Sequence, residues 1–148
     1  MSLKQRLQED LKEALRARDK RWKSVIRMAL MEIRNEEIEQ GGELDDQEIV
    51  AVLRKEANRR EEAIEELEEA GRTELLAEER AELEILKDYL PALLSREEIV
   101  EEAQQVIDEV GATGMKDMGP VMGRLMSKLK GRADGRVVNE VVRELLSQ

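Results

Sequence analysis

Asp45-Asp-Gln-Glu-Ile-Val-Ala-Val-Leu-Arg-Lys-Glu-Ala-Asn-Arg-Arg-Glu-Glu-Ala-Ile-Glu-Glu-Leu-Glu-Glu-Ala-Gly71 decides the fold class. Asp45 and Glu48 stand at the spacing of a capping box, which satisfies two free backbone N–H groups at a helix start. Apolar residues then recur at Ile49, Val52, Leu53, Ala57, Ile64 and Leu67. Intervals of three and four residues place such side chains on one helical face. Gly71 suits the left-handed position at which a helix stops. The spacing predicts a helix of about 24 residues, roughly 36 Å long at 1.5 Å per residue.

The same pattern extends in both directions. Ser2 with Gln5 forms a capping box ahead of Leu3, Leu7, Leu11 and Leu15. Asp19 is placed to cap a second helix carrying Trp22, Val25, Ile26, Ala29, Leu30 and Ile33, ended by Gly41-Gly42. A fourth helix from Thr73 carries Leu75, Leu76, Leu83, Leu86 and Leu90. Pro91 terminates it, because the residue before a proline is pushed out of the α region. Ser95 with Glu98 opens a fifth helix, through Ile99, Ala103, Val106 and Ile107 to Gly111. A sixth covers Lys116 to Leu129, with Pro120 near its first turn, and Gly131 closes it. Asp134 caps a seventh, in which Val137, Val138, Val141, Val142, Leu145 and Leu146 recur with helical period. No strand and no fixed-period repeat is evident. The expected fold is all-α, with a four-helix N-terminal part over residues 1–94 and a small three-helix C-terminal part over residues 95–148.

Composition narrows the chemistry. Charged residues are 41% of the 148, aromatics 1%, and the formal net charge is −10. With no Phe, the core must be built from Leu, Ile, Val, Ala and Met. Cysteine is absent, which excludes disulfides, thiolate metal sites and thiol nucleophiles. Histidine is also absent, removing the commonest general base and the usual transition-metal ligand. Of the five serines and two threonines, Ser2 and Ser95 are caps and none lies near an activating base. No catalytic residue, metal ligand or cofactor site is assigned. Lys4, Arg6, Glu9 and Asp10 break any leader-like apolar run, and no stretch approaches the roughly 20 apolar residues that span a bilayer. The expectation is a soluble cytoplasmic protein without membrane contact.

Against this acidic background, residues 110–139 form a basic island. Lys116, Arg124, Lys128, Lys130, Arg132 and Arg136 face only Asp117 and Asp134, six cations against two anions and so an excess of four. A positive surface on a negative molecule is a candidate contact for polyanions, since the rest of the surface repels them. Lys128, Lys130 and Arg132 straddle the turn at Gly131, with Arg136 in the next helix. This arrangement suits phosphate contacts beside a helix N-terminus, and equally suits solvated charges balancing helix dipoles. A second basic run, Arg16, Arg18, Lys20, Arg21, Lys23 and Arg27, flanks Trp22 and either extends such a footprint or forms a surface corner. With Trp22 and Tyr89 the only aromatics, single-strand base stacking is disfavoured, whereas backbone contact with a folded RNA is compatible. Gly119 and Gly123 read as close helix contacts. Met115, Met118, Met122 and Met126 have helical spacing, suiting adaptable core packing or a docking groove. Glu61, Glu62, Glu65, Glu66, Glu68 and Glu69, interleaved with Arg54, Lys55, Arg59 and Arg60, read as a solvated face, with a carboxylate metal site as the alternative.

Arg27-Met-Ala-Leu-Met-Glu-Ile-Arg-Asn-Glu-Glu-Ile38, Lys55-Glu-Ala-Asn-Arg-Arg-Glu-Glu-Ala-Ile64, Glu84-Ile-Leu-Lys-Asp-Tyr-Leu-Pro91, Lys116-Asp-Met-Gly119 and Leu129-Lys-Gly-Arg-Ala-Asp-Gly135 resemble stretches of the GatB/YqeY family. Nearly the whole chain is covered, as in a stand-alone YqeY-like protein. The resemblance implies an all-α fold with a helical N-terminal part and a three-helix C-terminal part. It also implies tRNA binding, or assistance to an amidotransferase or another tRNA-handling protein. A related module forms the tail of GatB, a component of the glutamine-dependent aspartyl/glutamyl-tRNA amidotransferase, where a separate large domain performs the chemistry. Family association with carbon–nitrogen ligase activity, with glutamine as amido-nitrogen donor, therefore implies no autonomous catalysis here. Pro120 departs from the family pattern, which more often has lysine there. The leading expectation is a non-catalytic tRNA-interacting module that uses the six residues of the island. The alternative is a protein adaptor docking through the methionine-rich C-terminal face.

Overall fold

A computed structural model describes residues 1–148 as seven α-helices and one short 3-10 turn, with no strand. The chain divides into two compact units, Met1–Pro91 and Ala92–Gln148.

In the first unit, α1 (Leu3–Ala17) packs on α2 (Lys20–Gln40) and α3 (Asp46–Ala70), and α4 (Thr73–Lys87) packs on α2 and α3. Their apolar faces meet around Leu7, Ile26, Ile33, Ile49, Leu53 and Leu86, all essentially without solvent exposure. The capping boxes of α1 and α3 are both formed. Asp19 accepts the Trp22 N–H, and Gly41 and Gly71 end α2 and α3 in the left-handed region. The loop after α2 is tied by Glu37, which accepts from Lys4 Nζ at 2.9 Å and from the Leu44 N–H at 3.0 Å. Those two donors hold the Glu37 carboxyl below the usual carboxylate range.

Two features differ from the expected pattern. Helix α4 ends at Lys87, not at Pro91. The Tyr89 N–H turns back to the Leu86 carbonyl and the Leu90 N–H to that of Lys87. This turn delivers Tyr89 into the core, where its hydroxyl donates to Asp10 Oδ2 at 2.7 Å and accepts from Trp22 Nε1 at 3.1 Å. The Arg6 guanidinium lies over the ring at 4.6 Å. The two large aromatics thus join α1, α2 and the end of α4. Secondly, Arg60 belongs to no solvated face. It is 8% exposed and is the single buried charged residue. Its guanidinium meets Glu82, with Glu79 and Glu56 close by.

Burial and the Asp10 bond push the Tyr89 hydroxyl up to about 12. The neutral phenol is therefore favoured by folding. Its contribution is complete below the unfolded value of about 10 and is lost as pH rises through about 12. Tyr89→Phe leaves the Trp22 N–H without its acceptor and is expected to cost about 1–2 kcal/mol at neutral pH. It also removes part of the alkaline destabilisation, as thermal melts between pH 8 and 12 would read out. A variant as stable as wild type and with the same alkaline profile would refute this role.

In the second unit, α5 (Arg96–Val110) packs on α6 (Met118–Lys128) and α7 (Gly135–Leu146), which also pack on each other. Ile99, Val106, Val121, Leu125, Leu129, Val138 and Val142 fill a separate core. Helix α6 is preceded by the 3-10 turn Met115–Asp117, so Lys116 lies before the α-helix rather than within it. Gly119 and Gly123 are not close helix contacts. A Cβ at either would meet nothing within 4 Å, because both lie on the outward face of α6. Met118, Met122 and Met126 are half-buried against the core, leaving Met115 as the exposed methionine of the series.

Candidate nucleic-acid interface

The turn joining α6 to α7 follows an alternation set by burial. Leu129 and Ala133 point inward, while Lys130 and Arg132 remain exposed. Leu129 N–H closes the helix on the Leu125 carbonyl at 2.9 Å, and Arg132 N–H returns to the Leu129 carbonyl at 2.8 Å. Gly131 between them has φ +74°, a conformation that other residues adopt at a steric cost. The Arg132 carbonyl accepts from the Leu94 N–H at 2.8 Å, fixing the turn to the segment before α5. Asp134 Oδ1 accepts the Arg136 N–H at 2.9 Å and starts α7. Two apolar anchors and a cap therefore hold three consecutive structural elements whose cations face water.

All six residues of the basic island are exposed. They fall into two groups. Arg124 pairs with Glu109 at 3.1 Å, and Lys128 pairs with Glu102 at 2.8 Å and donates to Gln105 at 3.1 Å. These two cations, one turn apart on α6, are drawn towards α5. Arg132 Nη2 donates to the Lys128 carbonyl at 3.3 Å, a contact that supports the end of α6 and leaves its charge uncompensated. Lys116, Lys130 and Arg136 form no ion pair. Lys128, Lys130, Arg132 and Arg136 surround the turn, whereas Lys116 lies beyond the opposite end of α6. Its neighbour Asp117 accepts from the Thr113 N–H at 2.9 Å, the main cause of a carboxyl held below its usual range.

The turn joins the negative end of α6 to the positive end of α7, the latter capped by the Asp134 carboxylate, so the positive charge of the turn is that of its side chains. No group of three or more acidic side chains is placed to hold a metal ion. No helix is long and apolar enough to cross a membrane.

Residues 4–146 match the family model described as Yqey-like protein. Among curated proteins, the chain is similar to the altered inheritance of mitochondria protein 41, mitochondrial, of three yeasts. With that of Lachancea thermotolerans it is 39% identical over 88 residues, 59% of this chain and 47% of the relative. With that of Kluyveromyces lactis it is 34% identical over 107 residues, 70% and 58% of the two chains. With that of Clavispora lusitaniae it is 35% identical over 108 residues, 72% and 63%. The matched region thus spans between about half and two thirds of these relatives. Their names place them in mitochondria, which overturns the expectation of a cytoplasmic protein. That expectation drew on the lack of a long apolar run, a property that excludes a spanning helix and does not distinguish one aqueous compartment from another.

Proposed function

The chain belongs to the Yqey-like protein family, and from that membership together with its basic island we propose that it is a non-catalytic tRNA-interacting module. The observation that carries this reading is the exposed turn at Lys128, Lys130, Arg132 and Arg136 on a chain of net charge −10. Such a turn concentrates attraction for a polyanion in one place while the rest of the molecule repels it. Lys116 and Arg124 extend the contact along α6. The contacts are assigned to the 95–148 part, whose core is its own. The resemblance to the amidotransferase tail supports a role beside a glutamine-dependent tRNA amidotransferase, with carbon–nitrogen ligase chemistry belonging to that partner. The absence of histidine and cysteine supports assigning no catalysis to this chain. For the compartment, the relatives' names point to mitochondria.

The test is a fluorescence-anisotropy titration of total tRNA at two salt concentrations, with duplex DNA as control. Phosphate contacts release counterions, so affinity should fall steeply with salt, by roughly 0.7–0.9 logarithmic units per contact for each decade of salt. Binding that prefers tRNA and weakens in this way supports the module. No binding at low salt, where attraction is greatest, refutes it.

A further inference from the structure

The larger uncompensated basic surface lies in the first unit, on residues that the proposed function does not use. Between Ala14 and Met31 six basic residues stand against Asp19 alone, and Asp19 is occupied as the cap of α2. Only Arg16 among the six forms an ion pair, with Glu13. Arg18, Lys20, Arg21 and Arg27 are exposed and Lys23 is half-buried. Along α2 the exposed residues Lys20, Ser24, Arg27, Met31, Arg34 and Ile38 follow at intervals of four and three. That spacing puts them in one row along the helix. The row contains no carboxylate, in a protein where Asp and Glu number 35 of 148 residues. Lys20, Arg27 and Arg34 recur every seventh residue, about 10 Å apart along the axis.

Folding accounts for only part of this placement, since the dipole favours Arg16 and Arg18 at the C-terminal end of α1 but nothing in α2 favours the others. Helices α2, α3 and α5 end on glycine in the left-handed region, but α1 ends there on Arg18, at φ 55°. Lys20, Arg21 and Lys23 occupy the opening of α2, whose first turn has no acidic residue. Cations are disfavoured at that end of a helix dipole. Local preferences broken without a structural return are characteristic of functional surfaces.

We propose that the outer face of α2 and the α1–α2 corner, centred on Arg18, Lys20, Lys23, Arg27 and Arg34, form a second RNA-backbone contact surface. The inference rests on the tRNA-interacting reading and adds a contact surface to it. A regular file of cations matches the repeating charge of a phosphate backbone. An acidic protein partner is the weaker fit. Of the exposed apolar side chains here, Met28 and Met31 are neighbours one turn apart while Leu15 and Ile38 lie at opposite ends, so the apolar area is interrupted by Arg27 and Arg34 and not gathered into the single centre that protein interfaces use. Without aromatic side chains in the row, the surface reads charge and shape rather than base sequence.

The experiment compares the full chain with Lys20→Glu/Lys23→Glu/Arg27→Glu, using total tRNA as probe and titrating at several salt concentrations. A control, Lys12→Glu/Lys55→Glu/Arg80→Glu, changes net charge by the same six units elsewhere on the first unit. Glutamate at positions 20 and 23 complements the α2 dipole, so the α2 variant should melt no lower than wild type. The expected result is affinity reduced by about 10-fold or more and a salt slope shallower by about two to three units. The control should retain wild-type slope. Wild-type affinity and slope in the α2 variant overturn the surface and leave the row to an acidic protein. An equal loss in the control overturns it too, by showing an effect of net charge. Failure of the wild type to bind tRNA at low salt removes the functional reading itself, an outcome distinct from both.

Discussion

Lys116→Glu/Lys130→Glu/Arg136→Glu is expected to lower tRNA affinity by about 100-fold at roughly 0.1 M salt, with the salt slope reduced by about three units. These three cations are chosen because none is in an ion pair, so reversing them breaks no salt bridge, although Lys116 also attracts the neighbouring Asp117 carboxylate. Lys128→Glu/Lys130→Glu/Arg132→Glu should abolish binding at least as fully. It has a structural cost as well, since residue 128 would then face Glu102 where an ammonium now stands at 2.8 Å. Residue 132 would no longer donate to the end of α6. The first variant should therefore lose binding at unchanged melting temperature, and the second should lose both. Unchanged affinity in the first would remove the second unit from the RNA interface, whatever the second variant did.

The helix starts and stops were legible because they depend on local chemistry. Ser2, Asp45 and Ser95 each accept from the backbone three residues on, with Gln5, Glu48 and Glu98 reciprocating. Gly41, Gly71, Gly111 and Gly131 adopt the positive φ for which their positions suggested them. The failures are tertiary. Pro91 marks where helix cannot continue, but α4 stops earlier because the Tyr89 hydroxyl finds Asp10 and Trp22, 79 and 67 residues distant. Gly119 and Gly123 suggested close packing, yet no neighbouring element approaches the face of α6 that carries them.

Charge proved harder to read than apolarity. Helix phase suffices to expose the six residues of the island, but not to show that α5 presents Glu102 and Glu109 to Lys128 and Arg124. The freedom of the α2 cations is likewise a statement about where the acidic residues do not go. Arg60 could have been found. Leu53, Ala57, Arg60 and Ile64 continue one series of four- and three-residue steps, so the guanidinium occupies an inward position. Its surroundings of Glu and Arg hid this, because a run of charges reads as a solvated face.

Arg60→Ala is the largest single-site loss of stability expected, about 3 kcal/mol. The guanidinium is 9% exposed and meets Glu82, Glu79 and Glu56, whose side chains are 25%, 32% and 12% exposed. Removing it leaves Glu82 and Glu79 without a cation, while Glu56 keeps Arg59, and burial is costly for an uncompensated charge. The adjacent Arg59 is the control. It pairs with Glu56 at 2.7 Å but is 54% exposed, so Arg59→Ala should cost under about 1 kcal/mol. Urea unfolding of both variants separates the two cases. Glu82→Gln in the Arg60→Ala background should recover part of the loss. A deficit not relieved by Glu82→Gln would instead assign the cost to packing of the Arg60 stem against its neighbours, Met28 among them.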